Sequence, residues 1–531
     1  MTRINTNVPS LIAQRVLGAN NQSLNTSLER LSTGLRINRG ADDPAGLIAS
    51  QNLRAEKAGI STAIKNAERA DQVVNIAEGG LNEISSLLTD LQSLVTSSAN
   101  DAGLSREEKE ANQLQIDSIL QTIDRVAEAT SFQGTKLLTG TFDYQASSIA
   151  GTVNSFKVNG AKLEFNGQRE VDIITTASAQ KGGFFLSTGG ALNLGGAGAT
   201  DGNDDQFVFE VSGSLGARQL SFGSGTAVAD IVSTINSFSD TTGVEATASG
   251  GGFRIDSTEY GESEFVSIKV VDDGDINGTG LGIFNLSAGD TDVLDSATPT
   301  ATAFNSTAAE NGLTDAGQDV EAFINGVQAT TNGTTARIYT NFLDVESDLA
   351  VDTGNPSAVN LGAIDAFTIT GGGADFQLAG NVDIAGRVSL GIANVATREL
   401  GQSTIDVRDP DNPGGAKVST DFNLSDFQSG ASLNAVDGNL DAGQKVLKAA
   451  ISEVSSLRGR LGAFQQNTIG ATIRSLGVSL ENTSAAESSI RDTDFAAETA
   501  NLTRSQVLAQ SAQQSLLRAN SQPQNALSLL G

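Results

Sequence analysis

No cysteine, histidine or tryptophan occurs in these 531 residues, and the single methionine is the first residue. Without thiol or imidazole there is no cysteine nucleophile, no Ser-His-Asp triad and no zinc site of the usual Cys/His kind. The chain is therefore expected not to be an enzyme and to hold no cofactor or metal. The lack of cysteine leaves the redox compartment open, because an exported protein can simply do without disulfides. Proline is scarce and unevenly placed. None lies between Pro44 and Pro299 or between Pro413 and Pro523, so helices have uninterrupted space near both ends. No apolar run approaches the ~20 residues needed to span a bilayer, and the N-terminus lacks the apolar core, about 7–15 residues long, of a secretory signal. If the protein leaves the cell, another route carries it.

Acid is abundant. The net charge of −29 argues against nucleic acid and anionic membrane surfaces as partners. The two ends depart from this balance. Residues 1–40 carry Arg3, Arg15, Arg30, Arg36 and Arg39 against Glu29 alone, and residues 501–531 carry Arg504 and Arg518 with no acid. The acidic excess lies wholly between them, and the Gln/Asn/Ser-rich, Leu-bearing ends suit burial among copies. At this length several compact units are expected rather than one core.

Leu24, Leu28, Leu31 and Leu35 are spaced 4, 3 and 4, which predicts one helical face with nothing in its own segment to cover it. Gly40, Asp42, Asp43 and Pro44 follow as an elbow: Asp43 suits the N-cap of a second helix and Pro44 its first position. Capping also explains Asp43, so the Asp42-Asp43 pair is not read as a metal or catalytic site. Leu53, Ile60, Ala67, Val74, Leu81, Leu88 and Val95 then recur every seven residues, a coiled-coil-like stripe that Gly79-Gly80 should weaken. Ser105-Arg106-Glu107-Glu108 reads as a capping box opening a helix to about Thr130, with Ile116, Ile119, Leu120, Ile123 and Ala127 as its stripe. Near the other end Leu440, Leu447, Val454 and Leu461, with Ala450, Leu457, Phe464, Ala471 and Val478, keep the same rhythm. Leu502, Ala509 and Leu516 give the last segment a narrow stripe matching that of residues 11–35. The fold class expected is multidomain α plus β: a long helical bundle formed by the N- and C-terminal segments, with β-rich domains inserted between them.

Between about 140 and 435 the texture changes to Gly, Thr, Ser and Asp with short alternating apolar runs. Phe207–Val211, Phe253–Ser257, Phe265–Val271 and Val320–Gln328 read as strands, and Ala227–Phe238 as a helix among them. Asp273, Asp275, Asn277 and Gly278 open like an EF-hand loop, but the twelfth position is Phe284 where a bidentate Glu is needed, so a turn is the better reading. There is no GxxxxGK[ST] loop, and Gly195-Gly196-Ala197-Gly198 lacks the spacing of a dinucleotide site.

The terminal segments resemble a known family. INTNVPSLIAQRVLGANNQSLNTSLERLSTGLRINRGADDPAGL (Ile4–Leu47) and AESSIRDTDFAAETANLTRSQVLAQSAQQSLLRANSQPQNALSLLG (Ala486–Gly531) are similar to the N- and C-terminal signatures of bacterial flagellins, and Phe209–Ser257 is similar to the β-rich insertion module of flagellins and hook-associated proteins. The resemblance implies a subunit, exported unfolded, that polymerises with itself into the flagellar filament outside the cell. Its implied partners are copies of itself, a flagellar export chaperone, and hook-associated junction and cap proteins. A hook-filament junction protein is the alternative, although such proteins depart from flagellin in the elbow and final tail. The implied domains are 1–43 (inner-tube helix and elbow), 44–140 (outer tube), 141–435 (variable β domains, with the insertion module near 207–271), 436–490 (outer tube) and 491–531 (inner-tube helix). Self-assembly would rest on Leu24, Leu28, Leu31, Leu35, Leu502 and Leu516. The family's innate immune receptor engages a segment resembling LQRVRELA; here it is LTDLQSLV, with Asp90 and Gln92 at the two Arg positions, Ser93 at the Glu, and Gln115 replacing a glutamate on the partnering helix. The charged contacts are missing while Leu88, Leu91 and Leu94 persist, so weak receptor activation is expected.

Overall fold

The computed structural model describes residues 6–100, 103–164, 167–194, 206–276, 280–286, 301–351, 361–408 and 417–528. They fall into two compact units, one of residues 1–78, 376–388 and 458–531, the other of residues 79–375 and 389–457.

The first unit is helical. Helix α1 (Val8–Thr33) starts at Asn7, whose side chain accepts Ser10 N, and stops at Gly34, which takes φ 72° and donates its N–H to Arg30 O at 2.9 Å. A residue with a Cβ is disfavoured in that left-handed conformation, so Gly34 is the true stop signal. Helix α2 (Pro44–Ser98) runs 55 residues and contributes its first part here. Ile60, Ala63, Ala67, Ala70, Val74 and Ala77 are buried along it. The segment 376–388 lies against it closely enough that a Cβ on Gly59 would meet Gly380 O at 2.9 Å, and Asn66 Nδ2 donates to Gln377 O at 3.3 Å.

On the C-terminal side the heptad reading needs correcting. The rhythm holds through Leu457, Leu461 and Phe464, but residues 464–469 form a π-helical turn, which inserts one residue into the repeat. The buried positions move on by one, to Ile469 and Thr483, leaving Ala471 exposed and Val478 59 % exposed. The turn is held by Phe464 against Phe376, ring centroids 6.1 Å apart, and by Gln465 Nε2 donating to Asp71 Oδ1 and Asn75 Oδ1 at 2.9 and 3.0 Å.

The second unit receives the rest of α2, where Leu81, Ile84, Leu88 and Leu91 are fully buried. Gly79 and Gly80 do not interrupt the helix. A Cβ at Gly80 would meet Thr130 Oγ1 at 2.5 Å, so this glycine admits a close neighbour. Helix α3 (Arg106–Ala129) opens with the capping box: Ser105 Oγ accepts Glu108 N, and Glu108 Oε2 accepts Ser105 N at 2.8 Å. Ile116, Leu120, Ile123 and Ala127 are buried. The segment returning from the β region is pinned to α3 by side chains. Gln113 Nε2 donates to Phe427 O and Gln113 Oε1 accepts Ala435 N, both at 2.7 Å, and Asp124 accepts Thr397 N at 2.8 Å.

The β region is antiparallel and has two cores. One lies between a sheet ordered 282–285, 183–187, 252–257, 244–249 and a sheet ordered 313–316, 265–272, 206–212, 217–223. It is rich in phenylalanine, with Phe184, Phe207, Phe209, Phe253 and Phe304 buried and α4 (Val228–Ser237) packed on it. The second lies between a five-stranded sheet, 327–328, 321–324, 169–177, 362–372, 144–147, and a four-stranded one, 330–332, 335–339, 343–349, 153–161. The run Val320–Gln328 is a hairpin rather than one strand: Glu321–Ile324 pairs with Val327–Gln328 across Asn325 and Gly326, both at positive φ. Phe284, the residue that ruled out an EF-hand loop, is a buried residue of strand Gly282–Asn285, and Asp275 sits in a turn at φ 54°. Asn277 and Gly278, and the Gly195–Gly198 run, lie outside the described residues.

Candidate assembly surface

The stem of the first unit is built by α1 and α5 (Phe495–Ser528), two antiparallel helices that pair along their length. Their seam is narrow because small residues fill it: Ser10, Ser27, Ala512 and Ala519 are buried, while Leu24, Leu31, Leu502 and Leu516 are half-buried around them. Polar side chains set the register. Asn7 Nδ2 donates to Ala519 O at 2.8 Å, Ser10 Oγ to Asn520 Oδ1 at 2.7 Å and Asn20 Nδ2 to Leu508 O at 3.2 Å. Arg30 lies 3.7 Å from Glu498, whose side chain is only 9 % exposed.

The expected face Leu24, Leu28, Leu31 and Leu35 is not a single face. Leu28 points away from the seam and is 47 % exposed. Leu35 lies beyond the helix, which Gly34 has already ended, and forms an antiparallel bridge with Asp492. Around that bridge Arg36 N donates to Arg491 O at 2.7 Å, Thr493 N to Gly34 O at 2.9 Å and Arg36 Nη2 to Ile490 O at 2.6 Å. The linker into α5 ends at Asp494, whose Oδ1 accepts Ala496 N and Ala497 N.

The elbow residues act through backbone contacts. Asp42 Oδ2 accepts both Asn38 N and Arg39 N, at 3.0 and 2.8 Å, and these two bonds hold its carboxyl below the usual range. Asp43 Oδ1 accepts Gly46 N at 2.9 Å with Pro44 in the first helical position. A Cβ at Gly40 would make only ordinary contact, whereas one at Gly46 would meet Asp43 Oδ2 at 2.5 Å and the buried Ile37 at 2.7 Å. Gly34 and Gly46, not Gly40, are the glycines this elbow requires. Thr33-Gly34 carried that signal in the sequence, masked by the leucine spacing that ran past it.

The stem leaves apolar side chains uncovered in number: Val8 52 %, Leu11 58 %, Ile12 50 %, Val16 43 %, Phe495 58 %, Val507 57 %, Leu508 47 % and Leu517 66 % exposed. A groove of about 670 Å³ runs between the helices on one flank, lined by Ile12, Val16, Leu508, Ala512, Ser515 and Ala519 among others. In the second unit Asp90, Gln92 and Ser93 on α2 and Gln115 on α3 are all exposed, while Leu88 and Leu91 beneath are fully buried. Among the described residues no helix is long and apolar enough to cross a membrane, and no group of three His, Cys, Asp or Glu could hold a metal ion.

Paired terminal helices with an uncovered apolar surface, carried by a helical core with a β-rich insertion, define a self-assembling structural subunit. Models of the bacterial flagellin N-terminal helical region, the bacterial flagellin C-terminal helical region and the flagellin hook IN motif match residues 4–143, 444–530 and 206–259, together more than half of the chain. The chain belongs to the bacterial flagellin family. Flagellin B of Helicobacter pylori (strain ATCC 700392 / 26695) and flagellin of Salmonella choleraesuis are each 28 % identical to it, with 99 % of both chains covered, and flagellin D of Vibrio anguillarum is 27 % identical over the same shares. Among solved structures, flagellar hook-associated protein-3 of Legionella pneumophila aligns over 82 % of this chain and 97 % of its own at 11 % identity, with a TM-score of 0.27.

Proposed function

We infer that this chain is the subunit that polymerises with itself to build the bacterial flagellar filament. The observation that carries this reading is the stem: segments 488 to 512 residues apart in sequence are brought into register by Asn7, Ser10 and Asn20, yet many of their apolar side chains are left exposed. On a molecule whose acidic excess is confined to the region between its ends, the fitting cover is another copy of the same ends. Leu24, Leu31, Leu502 and Leu516 then serve the seam and Leu28 the contact between copies, with Gly34, Leu35, Asp42, Asp43, Pro44 and Gly46 setting the elbow. The five-segment division at 43, 140, 435 and 490 follows from the resemblance, as do export in unfolded form by the flagellar apparatus, an export chaperone, and the junction and cap proteins as neighbours. The role is structural, with no catalysis.

Seeded reassembly tests this. Purified subunit added to short filament fragments should elongate them into long filaments. A hook-filament junction protein, the second reading, should add only a short terminal zone, and failure of any elongation removes the filament-subunit reading altogether.

A further inference from the structure

Residues 183–316 build the whole first β core and interrupt the second, so the chain passes between the two cores twice, at 178–182 and at 317–320. Two bare crossings would make a hinge, which needs only a few residues free to change φ and ψ. These crossings are not bare. Gln180 and Gln318 form an antiparallel bridge, Gln180 N donating to Gln318 O at 2.8 Å and Gln318 N to Gln180 O at 3.0 Å. A loop of the first core, 258–264, reaches over them and packs Tyr260 against the second core. Lys181 Nζ lies 5.2 Å from the centre of that ring and donates to Glu245 Oε1 of the first core at 2.7 Å. Asp319 Oδ1 accepts Glu262 N from the loop and Gly333 N from a turn of the second core, both at 2.9 Å, so one carboxylate oxygen holds both. No space is left between the strands. A Cβ on Gly317 would meet Gln180 O and Gly261 O at 2.5 Å, and one on Gly333 would meet Tyr260 O at 2.8 Å. We propose that this crossing is a closed joint, which makes the two β cores one rigid arm instead of two domains on a flexible link. Glycine usually lends a chain freedom, but here it removes freedom by letting backbones touch. Anything that bears on both cores then meets them in a fixed relation, with no cost of ordering one against the other. The inference goes beyond the filament-subunit reading and does not depend on it.

The absence of cysteine makes the joint measurable. Thr247→Cys on the first core and Ser155→Cys on the second, both at exposed strand positions, place nitroxide labels at those two sites alone. Pulsed electron resonance then reads the distribution of distances between them, and a single narrow peak is expected. Asp319→Ala removes the shared acceptor and Gly317→Ala forces the crossing strands apart, so each should make the peak about twice as wide or split it. Hydrogen exchange in strands 252–257 and 335–339 should stay slow, which shows that both cores are still folded. Tyr260→Ala withdraws the ring without altering a crossing strand; it should broaden the peak in the same way, and it carries the test if either other change loosens a core. A broad distribution in the labelled chain before these changes, or a peak that stays narrow in the variants whose cores are folded, overturns the proposal. Neither result touches the filament-subunit reading, which is decided by seeded growth of the wild-type chain.

Discussion

Gly46 shows how much one hydrogen atom in place of a side chain can decide. Its missing Cβ leaves room for Asp43 to cap α2 and for Ile37 to bury beneath the elbow. Gly46→Ala should cost about 1–3 kcal/mol of monomer stability, through overpacking and displacement of the cap, read from denaturant midpoints; an unchanged midpoint refutes the packing argument. Titration gives a second residue-scale prediction. Burial raises the carboxyls of Asp256, Glu259 and Asp315, and for Asp256 it outweighs the lowering by Arg254, 2.6 Å away. A folded pKa above the unfolded one adds stability that is complete below the unfolded value, near 4, and is lost as pH rises through the raised folded value. The Phe-rich β core should therefore resist denaturant better at about pH 5 than at pH 7. Asp256→Asn with Glu259→Gln and Asp315→Asn should flatten that slope; a slope that survives the substitutions assigns it to other groups. Asp90, Gln92, Ser93 and Gln115 are all exposed over an intact core. Replacing Asp90→Arg, Gln92→Arg and Ser93→Glu should raise innate-receptor activation by purified monomer in reporter cells, and equal potency before and after removes the motif argument.

At the scale of elements, the seam predicts that removing residues 501–531 abolishes seeded growth while leaving a folded subunit. The segment takes with it Ala512, Ala519 and the half-buried Leu502 and Leu516, but no residue of either β core. Filaments of normal length from the truncated chain would take the segment out of the assembly surface. The π-helical turn makes a different prediction. Deleting Gln466 would restore an unbroken heptad, rotate everything downstream by ~100°, and part Glu487 from Arg54 and Lys57. Exposing Ile469 should lower stability by about 2–5 kcal/mol. A thermal unfolding midpoint that stays put would mean the insertion is idle. These elements also show what was legible beforehand. The α2 and α3 stripes and the Ser105 capping box were plain, because each is written in residues within a turn or two of one another. The π turn was not, because its partners Asp71, Asn75 and Phe376 are far away in sequence. The helix stop at Gly34 was overridden by Leu35, which continued the apolar spacing but is used for a strand-like bridge. The candidate surface was legible as leucine-bearing tails; which leucines face the seam was not, since that depends on where α5 lies.

For the molecule as a whole, the stem pairs α1 with α5, and two marginal helices with a narrow seam are weak in isolation. In the unassembled subunit, limited proteolysis should trim both ends while sparing residues from about 50 to 480, and protection should spread to the ends in filaments. A confirmed monomer that protects residues 1–40 contradicts this. The bridge between Leu35 and Asp492 has a mechanical meaning. Both backbones that tie the stem to the rest of its unit pass through it side by side, with Arg36 N bonded to Arg491 O and Thr493 N to Gly34 O. A pull on the stem is thus divided between two parallel tethers cross-linked at one level, so neither slackens while the other takes the strain. A twist applied to one tether is passed to its mate.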